Sequence, residues 1–227
     1  MKYSKIVEGI FLERPNRFIA YVLIEGDRTI CHVKNTGRCR ELLVMGVTVY
    51  LERSDNPNRK TMYDLIAVRK GDILINMDSQ APNVAIKEWL NQGGLIGRPD
   101  LLIPEFRHGE SRFDFYMEKS NQKIFIEVKG VTLEMDGVAL FPDAPTERGV
   151  KHVRHLTKLC AEGMDAYLIF VVQFKPVKEM RPNDAMHAEF GEALRRAKEA
   201  GVKILCYDCL VTPDTMIIDQ SVPVYLE

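Results

Sequence analysis

Apolar positions in the first 80 residues fall in short runs with the period of two expected of half-buried strands. The runs cover 6–12, 17–25, 29–33, 47–52, 62–69 and 73–76, punctuated by Gly26-Asp27, Gly46, Asn56-Pro57-Asn58 and Gly71-Asp72. One short helical segment, 38–44, separates the third run from the fourth. Three strands, a short helix and further strands is the element order of a small OB-like β-barrel. Residues 78–83 read as a linker, with Asn83 capping a helix over 84–91 that Gly93-Gly94 ends. Strands then follow at 102–107, 112–117, 123–129, 131–134 and 138–141. A helix at 147–162, a strand at 167–174, a helix at 184–200, a strand at 202–206 and an extended tail complete the chain. Hairpins followed by helix–strand units predict a mixed sheet flanked by helices. The expected class is a mixture of α+β and α/β, with a barrel over 1–80 and a second domain over 81–227.

The hairpin SRFDFYMEKSNQKIFIEVKG, residues 111–130, carries most information. A two-residue turn at Ser120-Asn121 pairs Met117 with Ile124, Phe115 with Ile126 and Phe113 with Val128 on one apolar face. The other face pairs Tyr116 with Phe125, Asp114 with Glu127 and Arg112 with Lys129. A slip of one residue would mix the faces, so the register defines itself. It sets two carboxylates opposite each other with Cβ atoms roughly 5 Å apart, where like charges destabilise a sheet. A hard divalent cation with oxygen ligands would neutralise them. Lys129, two residues beyond Glu127, would point a positive charge at the same place. Glu-x-Lys alone is common on a solvated strand face; the opposed Asp114 is what distinguishes this one. Cation, carboxylates and ammonium together suit phosphodiester hydrolysis.

Composition narrows the picture. The 31 Lys and Arg against 32 Asp and Glu give a net charge of −1, which is evidence against a strongly basic surface and makes any nucleic-acid contact local. The first twenty residues lack the apolar stretch of a signal peptide, and the longest apolar run, 167–172, is too short for a bilayer. These features predict a cytoplasmic chain without a membrane partner, and nothing in the pattern specifies an oligomer. The five cysteines are expected as reduced thiols. Cys206 and Cys209 form a single C-x-x-C pair, but on a strand and without a second pair to complete a zinc site.

Asp114 followed by Glu127-Val128-Lys129 on adjacent strands resembles the PD-(D/E)XK nuclease superfamily, with Phe113 in place of the proline. PNRF (15–18), NTGR (35–38), SRFDF (111–115), EVKGVTL (127–133) and ALFPDAPTERGVKHVRHL (139–156) resemble the sugar fermentation stimulation protein A family. That resemblance covers both halves of the chain. It implies an OB-like domain, a nuclease-like domain and association with DNA. It also implies a link to the regulation of sugar metabolism, which a DNA-binding protein without catalysis could serve. As in such nucleases, Asp114 and Glu127 would hold Mg²⁺ or Mn²⁺. A further acid is expected from Glu105, on the strand before Asp114, with Glu88 on the preceding helix as the alternative.

Other groups support a nucleic-acid partner, DNA or RNA. Arg148, Lys151, His152 and His155 recur on one face of the 147–162 helix, opposite Val150, Val153 and Leu156, and Thr146 is placed to cap it. A basic stripe starting at a helix N-terminus suits phosphate. In the barrel, Arg14, Arg17, Arg38 and Arg40 bracket strand ends and could meet a phosphate backbone. Asp143 is expected to be a turn residue, with a role behind the metal ligands as the alternative. Glu134 and Asp136 are expected as hairpin residues.

Overall fold

The computed structural model describes residues 1–35 and 37–227. Six strands open the chain: β1 (Ile6–Asn16), β2 (Ile19–Ile24), β3 (Asp27–Val33), β4 (Thr48–Arg53), β5 (Tyr63–Lys70) and β6 (Ile73–Asn76). They run β3-β2-β1-β4-β5-β6, and a parallel pairing of His32 with Asp64 and Val33 with Leu65 joins β3 to β5. That contact closes β1–β5 into an OB-like barrel. Alternate residues such as Ala20, Val22, Val49, Leu51, Leu65 and Val68 point inward and are fully buried. The helix expected over 38–44 is a single turn, in which the Leu42 and Leu43 N–H groups donate to the Cys39 carbonyl. Cys39 has φ +44°, and that backbone does not propagate a right-handed helix.

The chain continues through α1 (Ala81–Asn91), β7 (Leu101–His108), β8 (Ser111–Lys119), β9 (Gln122–Val131), β10 (Leu133–Met135) and β11 (Val138–Phe141). Then come α2 (Glu147–Ala161), β12 (Asp165–Val172), β13 (Glu179–Pro182), α3 (Asp184–Glu199), β14 (Lys203–Val211) and β15 (Met216–Ser221). The main sheet is β15-β14-β12-β9-β8-β7, parallel between β9, β12 and β14 and antiparallel elsewhere. One face packs Ala85, Ile86 and Leu90 of α1 against Phe115, Met117, Ile126 and Val128. The other packs Val150, Val153 and Leu156 of α2, backed by Phe190 and Leu194 of α3, against Phe113, Phe125 and Phe170. A small sheet, β10-β11-β13, lies beside these layers; its β13 was not anticipated, because four residues containing one proline carry no period. Cys206 and Cys209 lie in cores on opposite sides of the sheet, so they are not a pair. Burial pushes the Cys209 thiol up to about 12. Among the described residues no helix is long and apolar enough to cross a membrane.

The segment 78–83 is not a loose linker. Asp78 is 2% exposed, accepts from the Tyr3 hydroxyl at 3.2 Å and pairs with Lys34 Nζ at 2.6 Å. The Gln173 amide nitrogen, just past β12, donates to the carbonyls of Asn76 and Asp78 at 3.0 and 3.1 Å. Helix α1 starts three residues earlier than expected, with Pro82 in its first turn, where a missing N–H costs nothing. This polar network, buried on both sides, ties the barrel to the sheet. Asp78→Ala should therefore cost about 3 kcal/mol, because it strands a buried tyrosine and a partly buried lysine. Glu88→Ala removes a carboxylate that is half-exposed, from an amino terminus that still donates to the Met216 carbonyl at 2.8 Å, and should cost under about 1 kcal/mol. Urea unfolding of both variants against wild type would measure the difference.

Candidate active site

The expected hairpin register is present: Tyr116 faces Phe125, Met117 faces Ile124 and Phe115 faces Ile126. At Asp114 the strands depart from it. The ladder with β9 stops at Phe115, and the Asp114 Oδ2 accepts from the Val128 N–H at 2.8 Å. On the other side of β8, regular pairing skips Asp114 between Pro104↔Phe115 and Phe106↔Phe113, where Glu105 has φ +54°. The strand turns over at this irregularity. Phe113 consequently packs on Phe125, ring centroids 5.4 Å apart, instead of lining up with Phe115. Asp114 does not stand squarely opposite Glu127; its carboxylate bridges toward α1, where Asn83 donates to Oδ1 at 2.8 Å. Asn83 is not the cap, since the N-cap position of α1 is Gln80. Its position inside the first turn of α1 makes it a partner of Asp114 that the pattern of turn residues did not reveal.

Glu127 is 2% exposed on the face toward α2. Its Oε1 accepts from Lys129 Nζ at 2.5 Å and from His152 Nδ1. The other imidazole nitrogen, Nε2, accepts from Arg148 Nε at 3.4 Å, which leaves the proton on Nδ1, facing Glu127. The second carboxylate oxygen, Oε2, is buried and has no hydrogen-bond partner among the described residues. Burial alone would raise the Glu127 carboxyl, but His152 and Lys129 outweigh it and hold the carboxyl below its usual range. Burial and the Glu127 charge push the Asp114 carboxyl up, against the opposing pull of the Val128 N–H, Lys129 and Asn83. The two acids therefore feel each other, and only Glu127 has enough positive partners to stay comfortably charged.

Gly130 follows Lys129 because a Cβ there would lie 2.4 Å from Gln173 Oε1 and 2.7 Å from Pro82. The strand bearing the site thus abuts the network that holds the barrel. Neither expected third acid joins the pair. Glu105 is half-exposed and pairs with Arg112 at 2.8 Å, because the positive φ turns its side chain out of the site. Glu88 pairs with the amino terminus at 2.7 Å. A group that could ligate a metal, Glu147, His187 and Glu189, lies at the α2–α3 contact. There the Thr146 N–H donates to His187 Nδ1, so the outward Nε2 carries the ring proton and cannot ligate.

Thr146 caps α2, its hydroxyl accepting from the Gly149 N–H at 3.0 Å. Of the basic residues on this helix, Arg148 and Lys151 are exposed, His152 is committed to Glu127, and His155 contacts Ser111. Among the barrel arginines, Arg14 is structural. Its guanidinium donates to the carbonyls of Asn35, Gly37, Arg38 and Arg17 at 2.6–2.9 Å, and no donor remains for a phosphate on that fork except the buried Nε. Arg17, Arg38 and Arg40 are exposed and surround a cavity of about 640 Å³. That cavity shares Gly37 and Ala144 with a second one of about 320 Å³, lined by Asp143, Thr146, Gln173 and Gly130. Asp143 points at Gly37, whose Cβ would come within 2.6 Å of its carboxylate, so it belongs to the junction of the two domains.

Two family models match the chain: "SfsA N-terminal OB domain" over residues 12–77 and "Sugar fermentation stimulation protein RE domain" over residues 80–215. A sugar fermentation stimulation protein homolog of Clostridium beijerinckii is 55% identical over 226 residues, covering 100% of both chains. The homolog of Ruminiclostridium cellulolyticum is 54% identical, again over 100% of each. The structure of Pyrococcus furiosus SfsA in complex with Ca²⁺ matches with a TM-score of 0.89 at 28% identity, over 99% of this chain and 98% of that one. With a closed OB-like barrel, a mixed sheet and relatives matched end to end, the chain belongs to the SfsA family of sugar fermentation stimulation proteins.

Proposed function

We propose that this protein is a divalent-cation-dependent nuclease that hydrolyses phosphodiester bonds of DNA, or of RNA. The observation that carries the proposal is the orphaned Glu127 Oε2. A buried carboxylate oxygen without a partner costs roughly 1–3 kcal/mol or more. Fold stability gains nothing from keeping it, whereas a cation ligand uses it. Asp114, pushed toward the neutral form when no cation is near, supplies the second hard oxygen ligand. Ca²⁺ in the Pyrococcus furiosus relative belongs to the same hard class. A bound Mg²⁺ or Mn²⁺ would supply Lewis-acid polarisation of the phosphate and activation of water.

The protein groups do the rest. Water adds to phosphorus, the P–O bond to the leaving sugar oxygen breaks, and that oxygen takes up a proton. Lys129 gives one N–H to Glu127 and keeps two for the oxygens on which negative charge builds. His152, held by Arg148, keeps the Glu127 carboxylate turned so that Oε2 stays free. Arg148 and Lys151, exposed near the α2 N-terminus, suit the flanking phosphates. A nucleic-acid backbone could continue through the joined cavities to Arg17, Arg38 and Arg40, which keeps the basic contacts local in a chain of net charge −1.

Cleavage of single- and double-stranded DNA and RNA with Mn²⁺ or Mg²⁺ tests the proposal. Wild type should cleave, and Asp114→Ala, Glu127→Gln and Lys129→Ala should each lose about 10²–10³-fold in rate. Equal cleavage by all four proteins would place the activity outside this site, and no cleavage by any while all bind DNA alike would leave a DNA-binding regulator. A second expectation concerns the metal-free protein. The raised Asp114 carboxyl stabilises the fold while protonated and loses that contribution as pH rises through its folded-state value. Asp114→Asn should therefore melt above wild type at pH 7. The gap should close on acidification. Thermal melts of both proteins in chelator across pH would show it.

A further inference from the structure

The polar face of α2 does not end at the site. Beyond His152, its next turns carry His155 and Lys158 into a cavity of about 330 Å³ between the helix and the β7–β8 turn. Two elements lead from the site to this cavity. His155 lies three residues past His152 on the same helix face, about 4.5 Å along the axis. Ser111 lies three residues before Asp114 on β8, about 10 Å along the strand. Ser111 and His155 meet across the cavity in a hydrogen bond, and the floor is apolar, formed by Phe113 and Leu159.

The charge in this cavity tells which part of a nucleic acid it fits. A phosphate pocket draws on cations and on N–H and O–H donors and keeps carboxylates away. Here Lys158 is matched by Glu162 at 3.8 Å, and Glu110 adds a second carboxylate that would repel an anion. A flat, neutral heteroaromatic ring carrying hydrogen-bond donors meets both conditions, apolar floor and carboxylate rim. Single-stranded nucleic acids are read in this way, by unstacked bases set against apolar or aromatic side chains. The volume is at the lower end of small-ligand pockets and holds a single base.

Resting on the nuclease reading of Asp114 and Glu127, we propose that this cavity receives one unstacked nucleobase next to the phosphate being cleaved. The substrate strand then enters unpaired, or with one base turned out of its duplex. Phe113 joins the two sites, since it lines the cavity and adjoins Asp114.

The test uses single-stranded DNA tetranucleotides, intact or lacking one base at each position in turn. They are titrated calorimetrically into the full chain with Ca²⁺ and incubated with it in Mn²⁺. One position should stand out, its missing base lowering affinity and cleavage rate about 10-fold, as loss of a stacked base does. Lys158→Trp, on the exposed helix surface, should fill the cavity and abolish that difference, whereas Lys158→Gln should retain it. A uniform profile, or a position effect that survives Lys158→Trp, would overturn the proposal even if the strands are cut. If no strand is cut, the nuclease reading fails, and the calorimetric profile alone still decides whether a base occupies the cavity.

Discussion

The second domain is organised around one buried carboxylate that its surroundings only half satisfy. Placing Glu127 in the centre of a sheet is costly, because an unpaired charge in such surroundings would neutralise or force the strand apart. Lys129 from the same strand and His152 from α2 meet the cost at Oε1, and among the described residues nothing meets it at Oε2. Much of the local architecture follows from this asymmetry. Helix α2 must be rigid and correctly phased to deliver His152, which the Thr146 cap and the buried row Val150, Val153 and Leu156 provide. Strand β8 must break its ladder so that Asp114 can approach without the direct cross-strand repulsion of two carboxylates.

The barrel enters the account through the same strand. Gly130 lets Gln173 and Pro82 close against β9, and Gln173 holds the carbonyls where the chain leaves the barrel. Asp78, Tyr3 and Lys34 lock that exit from the other side. A displacement of the barrel would therefore have to break buried polar contacts one residue from Lys129. The exposed arginines of the barrel are therefore held at a fixed place relative to the acids.

Much of this was legible in the sequence because it rests on period and register. The strands of the barrel, the hairpin pairing of Tyr116 with Phe125, the Thr146 cap and the buried side of α2 all follow from alternation and helical spacing. Where the structure departs, a local backbone event or a tertiary contact has overridden the pattern. A positive φ at Glu105 turned an acid on the right strand away from the site, and no spacing rule encodes that. Asn83 looked like a cap and serves as a ligand to Asp114, because Pro82 had already started the helix. Arg14 looked like a phosphate contact and is used up by four carbonyls, which only the folded loop brings together. His152 was assigned to a phosphate by its helix face, while its Nδ1 reaches inward to Glu127.

The central claim is that Glu127 Oε2 is kept free for a divalent cation. Calorimetric titration of Mn²⁺ into metal-free protein tests it most directly, comparing wild type with Glu127→Gln and with Glu105→Gln. Wild type and Glu105→Gln should bind Mn²⁺ alike, and Glu127→Gln should bind it at least about 10-fold more weakly, the loss expected even for groups that merely support a ligand. Equal binding by wild type and Glu127→Gln, or a loss confined to Glu105→Gln, would contradict the account.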